Sequence, residues 1–534
     1  MGTHCRGPQC APMGIRRRHL LACGLPLTAA STWAQTPHAT LVQALAIDDA
    51  ISLDPAECFE ISGSEVVGNV YERLVEFDLD DPSQLRGMLA EGWVLDVEGR
   101  RYDFRLKAGL RFASGRPLTA ADVVFSLARV VRLNKTPAFI LTQLGWSPAN
   151  VSERIQQTGP LTLRLTVDKP YAPSFVLNCL SATVASIVDS QEAQARPEGW
   201  LRRASAGSAP WWLREWRANE ILVLDRNERF HGARPQLARV VFSHVKESSM
   251  QRLMLLRRDV DVARNLAPQD LDALRNASQI RLTSVPKGGL YYIGMNQKNP
   301  LLARSEVREA LKWLVDYEAL GATLLKGIAT PHQNFLPQGL LGASTVSPFK
   351  LDVARAKALL AKAGLPDGFK ITMDVRSAEP IQGMAEAFQQ WAARAGVRIE
   401  LLPGDGKQTL TRYRARKHDL YIGEWGADYW DPHTNADTFV NNPDNRDVAS
   451  RQTLAWRNAW DRPELSRAAE AALLERDTGR RAQLYFDLQA RVRAEGPFII
   501  LAQQAQVAGL RSNLRGLRLG PTADTSFLAP VVKT

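Results

Sequence analysis

Cysteine is scarce in this chain. Five occur in 534 residues, and three of them, Cys5, Cys10 and Cys23, fall within the first 34. The remaining pair, Cys58 and Cys179, forms no Cys-x-x-Cys motif, so neither a thiol redox centre nor a cysteine-bound zinc is expected. Histidine is sparse too: eight are scattered without metal-ligand spacing, and no HExxH occurs. No metal and no cofactor is therefore expected. A nucleophile elbow of the G-x-S-x-G kind is missing, because Gly63-Ser64 lacks the second glycine at the required offset. With no catalytic triad or phosphate loop either, the chain is read as a non-enzyme. No stretch offers eighteen uncharged apolar residues, the least that a membrane-spanning helix needs. Thirty prolines and thirty-six glycines are spread out, with no low-complexity tract or short repeat, which argues against a solenoid.

What is present describes a large soluble protein. A chain of 534 residues is too long for one core, and 45% hydrophobic with 23% charged residues is ordinary for globular domains. The net charge of +11 falls to +7 once Arg6, Arg16, Arg17 and Arg18 of the acid-free first 34 residues are set aside. That excess is mild and unclustered, so no nucleic-acid partner is expected. Arg16-Arg17-Arg18 is followed by Leu20, Leu21, Ala22, Leu25 and Leu27, then by small residues up to Ala34. This order of basic, apolar and small residues is an export signal with a cleavage point after Ala34. Arg17-Arg18-His19-Leu20-Leu21 resembles a twin-arginine signal, with the general secretory route the alternative. Reading Leu20-Leu21-Ala22-Cys23 as a lipid-attachment box would leave almost no apolar region before Cys23. In an exported chain, Cys58 and Cys179 form either a disulfide or two buried thiols.

Periodicity divides the rest. Residues 39–47 are β-prone, and Val66, Val67, Val70, Tyr71 and Leu74 recur at helical spacing within 65–74. Tyr102, Phe104 and Leu106 alternate as in a strand, and Thr119 to Asp122 forms a capping box before a helix through Val131. Leu161, Leu163, Leu165 and Val167 give the clearest strand, with others expected at 220–226, 239–244 and 290–295. Beyond about 300, helices at 306–319 and 352–363 precede strand 370–375, helix 381–395, strand 397–402, helix 408–416 and strand 420–424. Strand–helix–strand alternation of this kind implies a parallel sheet. A helical region 464–493 and strands at 498–502 and 505–510 close the chain.

The most informative stretch is Trp425-Gly426-Ala427-Asp428-Tyr429-Trp430-Asp431-Pro432, which follows the last of those parallel strands. Ligands of open α/β sheets lie outside the carboxyl ends of strands. Aromatic faces there supply apolar walls, and a carboxylate supplies one fixed charge. The residues alone leave a second reading open, a solvated acidic turn stopped by Pro432.

Several stretches, taken in order, resemble the extracellular solute-binding proteins of family 5, the peptide- and nickel-binding proteins of ABC importers. They are Leu89 to Trp93, Tyr102 to Lys107, Phe112 to Val123, Ala209 to Trp216 with Leu224 to Asn227, Tyr291 to Asn296, and Ala356 to Gly364. The resemblance implies an α/β, periplasmic binding protein-like fold, with two lobes joined by a hinge and an extra α/β domain. Lobe I would comprise 35–77, 206–296 and 505–534, the extra domain 78–205, and lobe III 297–504, after a signal peptide at 1–34. The implied function is to bind di- or oligopeptides between the lobes in the periplasm and deliver them to an inner-membrane permease, as a monomer. In peptide-binding members an aspartate in a Trp-x-x-Asp-Tyr pattern pairs with the ligand ammonium. The match here is Asp428, with Trp425, Tyr429 and Trp430 beside it. Asp431 reads as a cap or brace. Arg376, at a strand end, is a candidate for the ligand carboxylate or else a surface ion pair. Phe59 and Glu60 lie in the segment Cys58 to Gly63, which would meet an extended ligand through its main chain. Two departures are visible: Ala209 and Trp211 stand where members carry Gly and Tyr, and Trp430 adds a second bulky ring. Both favour a smaller ligand. The alternatives are a metal chelate or saccharide in the same role, a receptor that presents ligand without import, and a secreted hydrolase.

Overall fold

The structure is a computed structural model that describes residues 2, 36–78, 81, 84–522 and 525–534. The export signal and its cleavage point lie outside the described residues. Two sheets organise the remainder. The smaller is antiparallel, with strands in the order Ala90–Leu95, Arg101–Leu106, Thr162–Thr166 and Ile155–Gly159. Tyr102, Phe104 and Leu106 alternate inward, as a half-buried strand requires, and pack with Val123 and Leu127 of the Ala120–Leu133 helix. That helix starts at the expected capping box, where the Asp122 carboxylate accepts the Thr119 N–H at 2.9 Å.

The larger sheet has eleven strands. On one side, Thr40–Leu45 runs parallel to Arg239–His244 and to Val262–Ala263, and Ile221–Arg226 and Trp211–Arg217 extend the edge. On the other side, Phe369–Arg376 lies parallel between Val397–Gly404 and Leu420–Gly426. The helices Ile381–Ala393 and Gly406–Arg414 connect these three strands, as the alternation predicts. Two long antiparallel strands, Ile280–Met295 and Phe498–Arg511, join the two sides. At one end Phe498–Arg511 pairs with Val262–Ala263, and at the other Ile280–Met295 pairs with Leu420–Gly426. Between these ends the register slips, at Pro286/Leu290 and again at Tyr291/Tyr292. Such bulges bend and twist a ladder locally.

Several expectations shift. The two strands expected at 498–502 and 505–510 are one strand, Phe498–Arg511. Gln503 looks like a break but is buried, its amide donating to the Lys287 and Gln338 carbonyls at 3.0 and 3.1 Å. The helix expected at 65–74 is Ile61–Val70. Tyr71 is already extended, because Gly207 presses on the helix end so closely that a Cβ there would strike the Val70 carbonyl. The helix expected at 306–319 divides into Ser305–Lys312 and Tyr317–Ala322, the second capped by Asp316 through the Ala319 N–H at 2.9 Å. The region 464–493 divides likewise into Pro463–Leu474 and Thr478–Glu495, with Asp477 as the cap. Cys58 and Cys179 are buried in separate hydrophobic cores and are not joined to each other in a disulfide. Ala209 and Trp211 are fully buried, and Asn227 clasps this turn, its side chain donating to the Ala209 carbonyl at 2.9 Å.

Candidate functional site

The Leu420–Gly426 strand delivers the acidic, aromatic stretch to the junction of the two sides of the sheet. Its end is tied to the Ile280–Met295 strand through Gly289 opposite Gly426, and the Ala427 N–H donates to the Gly288 carbonyl at 3.1 Å. Five residues later Pro432 opens the Pro432–Phe439 helix, with Asp431 as its cap accepting the His433 N–H at 2.9 Å. Asp431 is also the brace. Its carboxylate receives both arms of the Arg481 guanidinium at 2.8 Å, with both side chains 1% exposed. Arg481, on the Thr478–Glu495 helix, donates further to the Ala472 carbonyl at 3.0 Å and to the Ser174 hydroxyl at 2.9 Å. One cation thus holds the loop, the helix behind it and the Pro173–Ser181 helix together. A fork–fork pair of this kind fixes direction as well as distance.

Between the two anchors lie the candidate ligand residues. Asp428 is half-buried, and its N–H donates to the Thr434 hydroxyl at 3.2 Å. It lines a small pocket of about 20 Å³ with Arg73, Phe77, Thr183 and Thr522. That is room for one water-sized group and no more. Trp425 lies across from Leu290, partly buried. Trp430 is buried against Gly288 and Gly339, where a Cβ would meet its ring. Tyr429 is buried within the core of the smaller-sheet region, edge-on to Phe175 at 5.9 Å, with its hydroxyl donating to Gln143 at 3.3 Å. Its ring therefore anchors the loop from within.

Arg376 ends the neighbouring strand and reaches Glu424 at 3.5 Å, both half-exposed. Glu424 also accepts from the Gln504 amide at 2.9 Å. An ion pair this exposed contributes about 0–1 kcal/mol to stability. Phe59 and Glu60 lie at the start of the Ile61–Val70 helix, whereas Arg73, beside Asp428, follows its end. Ten helical residues separate the two ends, about 15 Å. Phe59 is 39% exposed and packs edge-on against Phe139 at 5.9 Å, and the Glu60 carboxylate accepts the Phe59 N–H at 3.3 Å. The site residues thus form three groups: Asp428 with Tyr429 and Trp430, Arg376 with Glu424 near the sheet end that Trp425 shares, and Phe59 with Glu60. Arg73, Gln504 and Arg481 were not legible as site residues. Arg481 in particular is fifty positions from its partner, with no sequence signal joining them.

A larger cavity than the one at Asp428 lies elsewhere. It encloses about 990 Å³ between the Phe139 to Phe175 region and residues 433–473, with Gln143, the partner of Tyr429, in its wall. Among the described residues no group of three or more His, Cys, Asp or Glu is arranged to hold a metal ion, and no helix is long and apolar enough to cross a membrane.

Three buried histidines, of which His433 lies at the site, give the protein a pH response. Desolvation holds His433 and His418 down to about 4, and His332 is lowered for the same reason. The unfolded chain takes up these protons near 6.5, the folded chain only near 4. Stability is therefore full above pH 6.5 and falls as pH drops through that interval, by on the order of a few kcal/mol in total. Thermal melts between pH 7.5 and 4.5 should show Tm declining, and His433→Gln should make the decline shallower. An unchanged slope in that variant would remove His433 from the account.

Two α/β sides joined by two long strands, with an acidic loop at their junction, define a binding protein built around a hinge. The chain belongs to the bacterial extracellular solute-binding proteins, family 5, whose middle region matches residues 84–447. It is 26% identical over 522 residues to the probable D,D-dipeptide-binding periplasmic protein DdpA of Escherichia coli K12, covering 96% of this chain and 97% of that one. The dipeptide-binding protein of the same organism is 25% identical over 485 residues, covering 86% and 88%. Among solved structures, the dipeptide binding protein from Pseudoalteromonas sp. SM9913 in complex with Met-Leu superposes with a TM-score of 0.78 at 20% identity. That alignment covers 93% of this chain and 100% of the other. The fold is accordingly periplasmic binding protein-like.

Proposed function

We propose that this chain is the exported, periplasmic binding component of an ABC importer for short peptides. The observation that carries the reading is the near end-to-end match to relatives named for dipeptide binding, combined with Asp428 at the end of the strand facing the junction. Lobe I would be 35–77 with 206–296 and 505–534, the extra domain 78–205, and lobe III 297–504. The register slips near Pro286 to Tyr292 supply a place to bend. Closure would bring the segment at Phe59 and Glu60 toward Asp428 and Arg376, one lobe supplying main-chain bonds and the other the charges. Hinge closure then presents a surface to the permease, with no bond made or broken. The bulk of Trp430, beside Asp428 in the wall of the small pocket, favours a ligand of two or three residues over a long one; Trp211, buried in a separate core, does not reach it. The exported chain would be cleaved after Ala34 and recovered from the periplasm.

Native mass spectrometry of the protein purified from periplasm tests this directly. The expected result is a bound mass of a few hundred daltons, identified as peptide by fragmentation. A bound saccharide or metal chelate would overturn the peptide assignment while leaving the transport role.

A further inference from the structure

The 990 Å³ cavity is not explained by hinge closure. One wall is the His433, Asp437 and Asn441 face of the Pro432–Phe439 helix and the loop after it; a second is the Pro463–Leu474 helix. The third comes from the smaller-sheet region and includes Phe139, Tyr171 and Phe175. Its volume lies at the upper end of the range for small-molecule sites. The third wall carries the aromatic rings together with Asp168 and Lys169, and the others are polar and ionic. Most of its charges are already matched. Lys169 pairs with Glu470 at 2.7 Å and Arg451 with Asp437, while Asp168, an anion with no cation within ion-pair distance among the described residues, accepts from the neutral Tyr171 hydroxyl at 2.7 Å and offsets one of the cations that follow. Two cations remain. Arg457 lies over the Tyr413 ring at 5.3 Å, Arg467 is exposed on the Pro463–Leu474 helix, and among the described residues neither has a carboxylate within ion-pair distance.

Buried polar atoms in the same wall are also unmatched. Asn442 is 2% exposed and lines the cavity, yet its Oδ1 has no hydrogen-bond partner among the described residues; nor has the buried Nε of Arg457. Leaving such groups unpaired costs about 1–3 kcal/mol each, and each unmatched group asks for an explanation. His433, itself buried, adds a neutral imidazole. Cationic groups without an ion-pair partner, opposite an aromatic wall, suit an organic anion: the guanidinium groups meet an oxyanion, and the rings meet an apolar body.

We propose that this chamber is a second solute site, separate from the Asp428 loop, which binds a small aromatic or apolar anion through Arg457 and Arg467 with its body against Phe139 and Phe175. Carboxylate and phosphate share the required chemistry, so benzoate and phenyl phosphate serve as probes. Calorimetry on the mature protein should show saturable binding of at least one, and the tighter of the two names the oxyanion. Arg467→Glu, an exposed change that leaves the fold intact, should weaken that binding at least tenfold. Phe139→Ala should weaken it less, and Asp428→Ala should leave it unchanged. The inference fails if neither probe gives saturable heat at millimolar concentration, if Arg467→Glu binds as wild type does, or if Asp428→Ala abolishes binding. The last result would return both probes to the peptide site.

Discussion

Arg481→Met is expected to destabilise the protein by about 3–5 kcal/mol, the cost of stranding one member of a buried ion pair. The stranded group is Asp431, 1% exposed, whose carboxylate keeps only the His433 N–H among the described residues. The loss extends beyond Coulomb attraction, since the Arg481 guanidinium also satisfies the Ala472 carbonyl and the Ser174 hydroxyl. Three segments far apart in sequence lose their common anchor. The urea midpoint of unfolding should fall markedly, with Asp431→Asn having an effect of similar sign. The double variant should cost less than the sum of the singles, because no unpaired charge is left inside. A midpoint within experimental error of wild type for Arg481→Met would mean that the pair does not hold the loop.

The parts of the fold that were legible are those whose signal is local. The parallel strands near 370, 397 and 420 showed because buried strands alternate with amphipathic helices at short range, and all three are where they were expected. The capping box at Thr119 is likewise a four-residue signal. What failed to show depends on tertiary context. Gln503 reads as a strand break because two glutamines adjoin there, yet each is satisfied from a distance: Gln503 by Lys287 and Gln338, Gln504 by Glu424. The helix end at Val70 is set by Gly207, more than a hundred residues away. At the site, Asp431 could be read as a brace from its position before Pro432, but its partner could not. The role of Tyr429 was hidden for the same reason: a tyrosine beside a candidate ligand carboxylate looks like a wall, and only the packed Phe175 and Gln143 show it turned into a core. The large cavity had no sequence signal, being assembled from segments some three hundred positions apart.

Asp428→Ala should weaken binding of a free-amine peptide by about thirty-fold or more while leaving the urea midpoint close to wild type. The expectation rests on the proposed role of Asp428 as counter-charge to the ligand ammonium. Removing one partner of a buried charge pair costs roughly 2–5 kcal/mol, mostly because the other charge is left desolvated, and every 1.4 kcal/mol is tenfold in affinity. Stability should change little because Asp428 is half-buried, and the loop on either side of it is fixed independently, by Ala427 on Gly288 and by Asp431 on Arg481. The N-acetylated peptide provides the complementary measurement. It lacks the ammonium, so wild type should bind it poorly, and Asp428→Ala should no longer discriminate between the two forms. Arg376→Ala offers a contrast in the same experiment. Its exposed pair with Glu424 contributes little to folding, so any large loss of affinity would come from the ligand carboxylate. If Asp428→Ala folds normally and binds both forms as tightly as wild type does, the charge-pair role is wrong, and an uncharged solute would replace peptide as the ligand of this cleft.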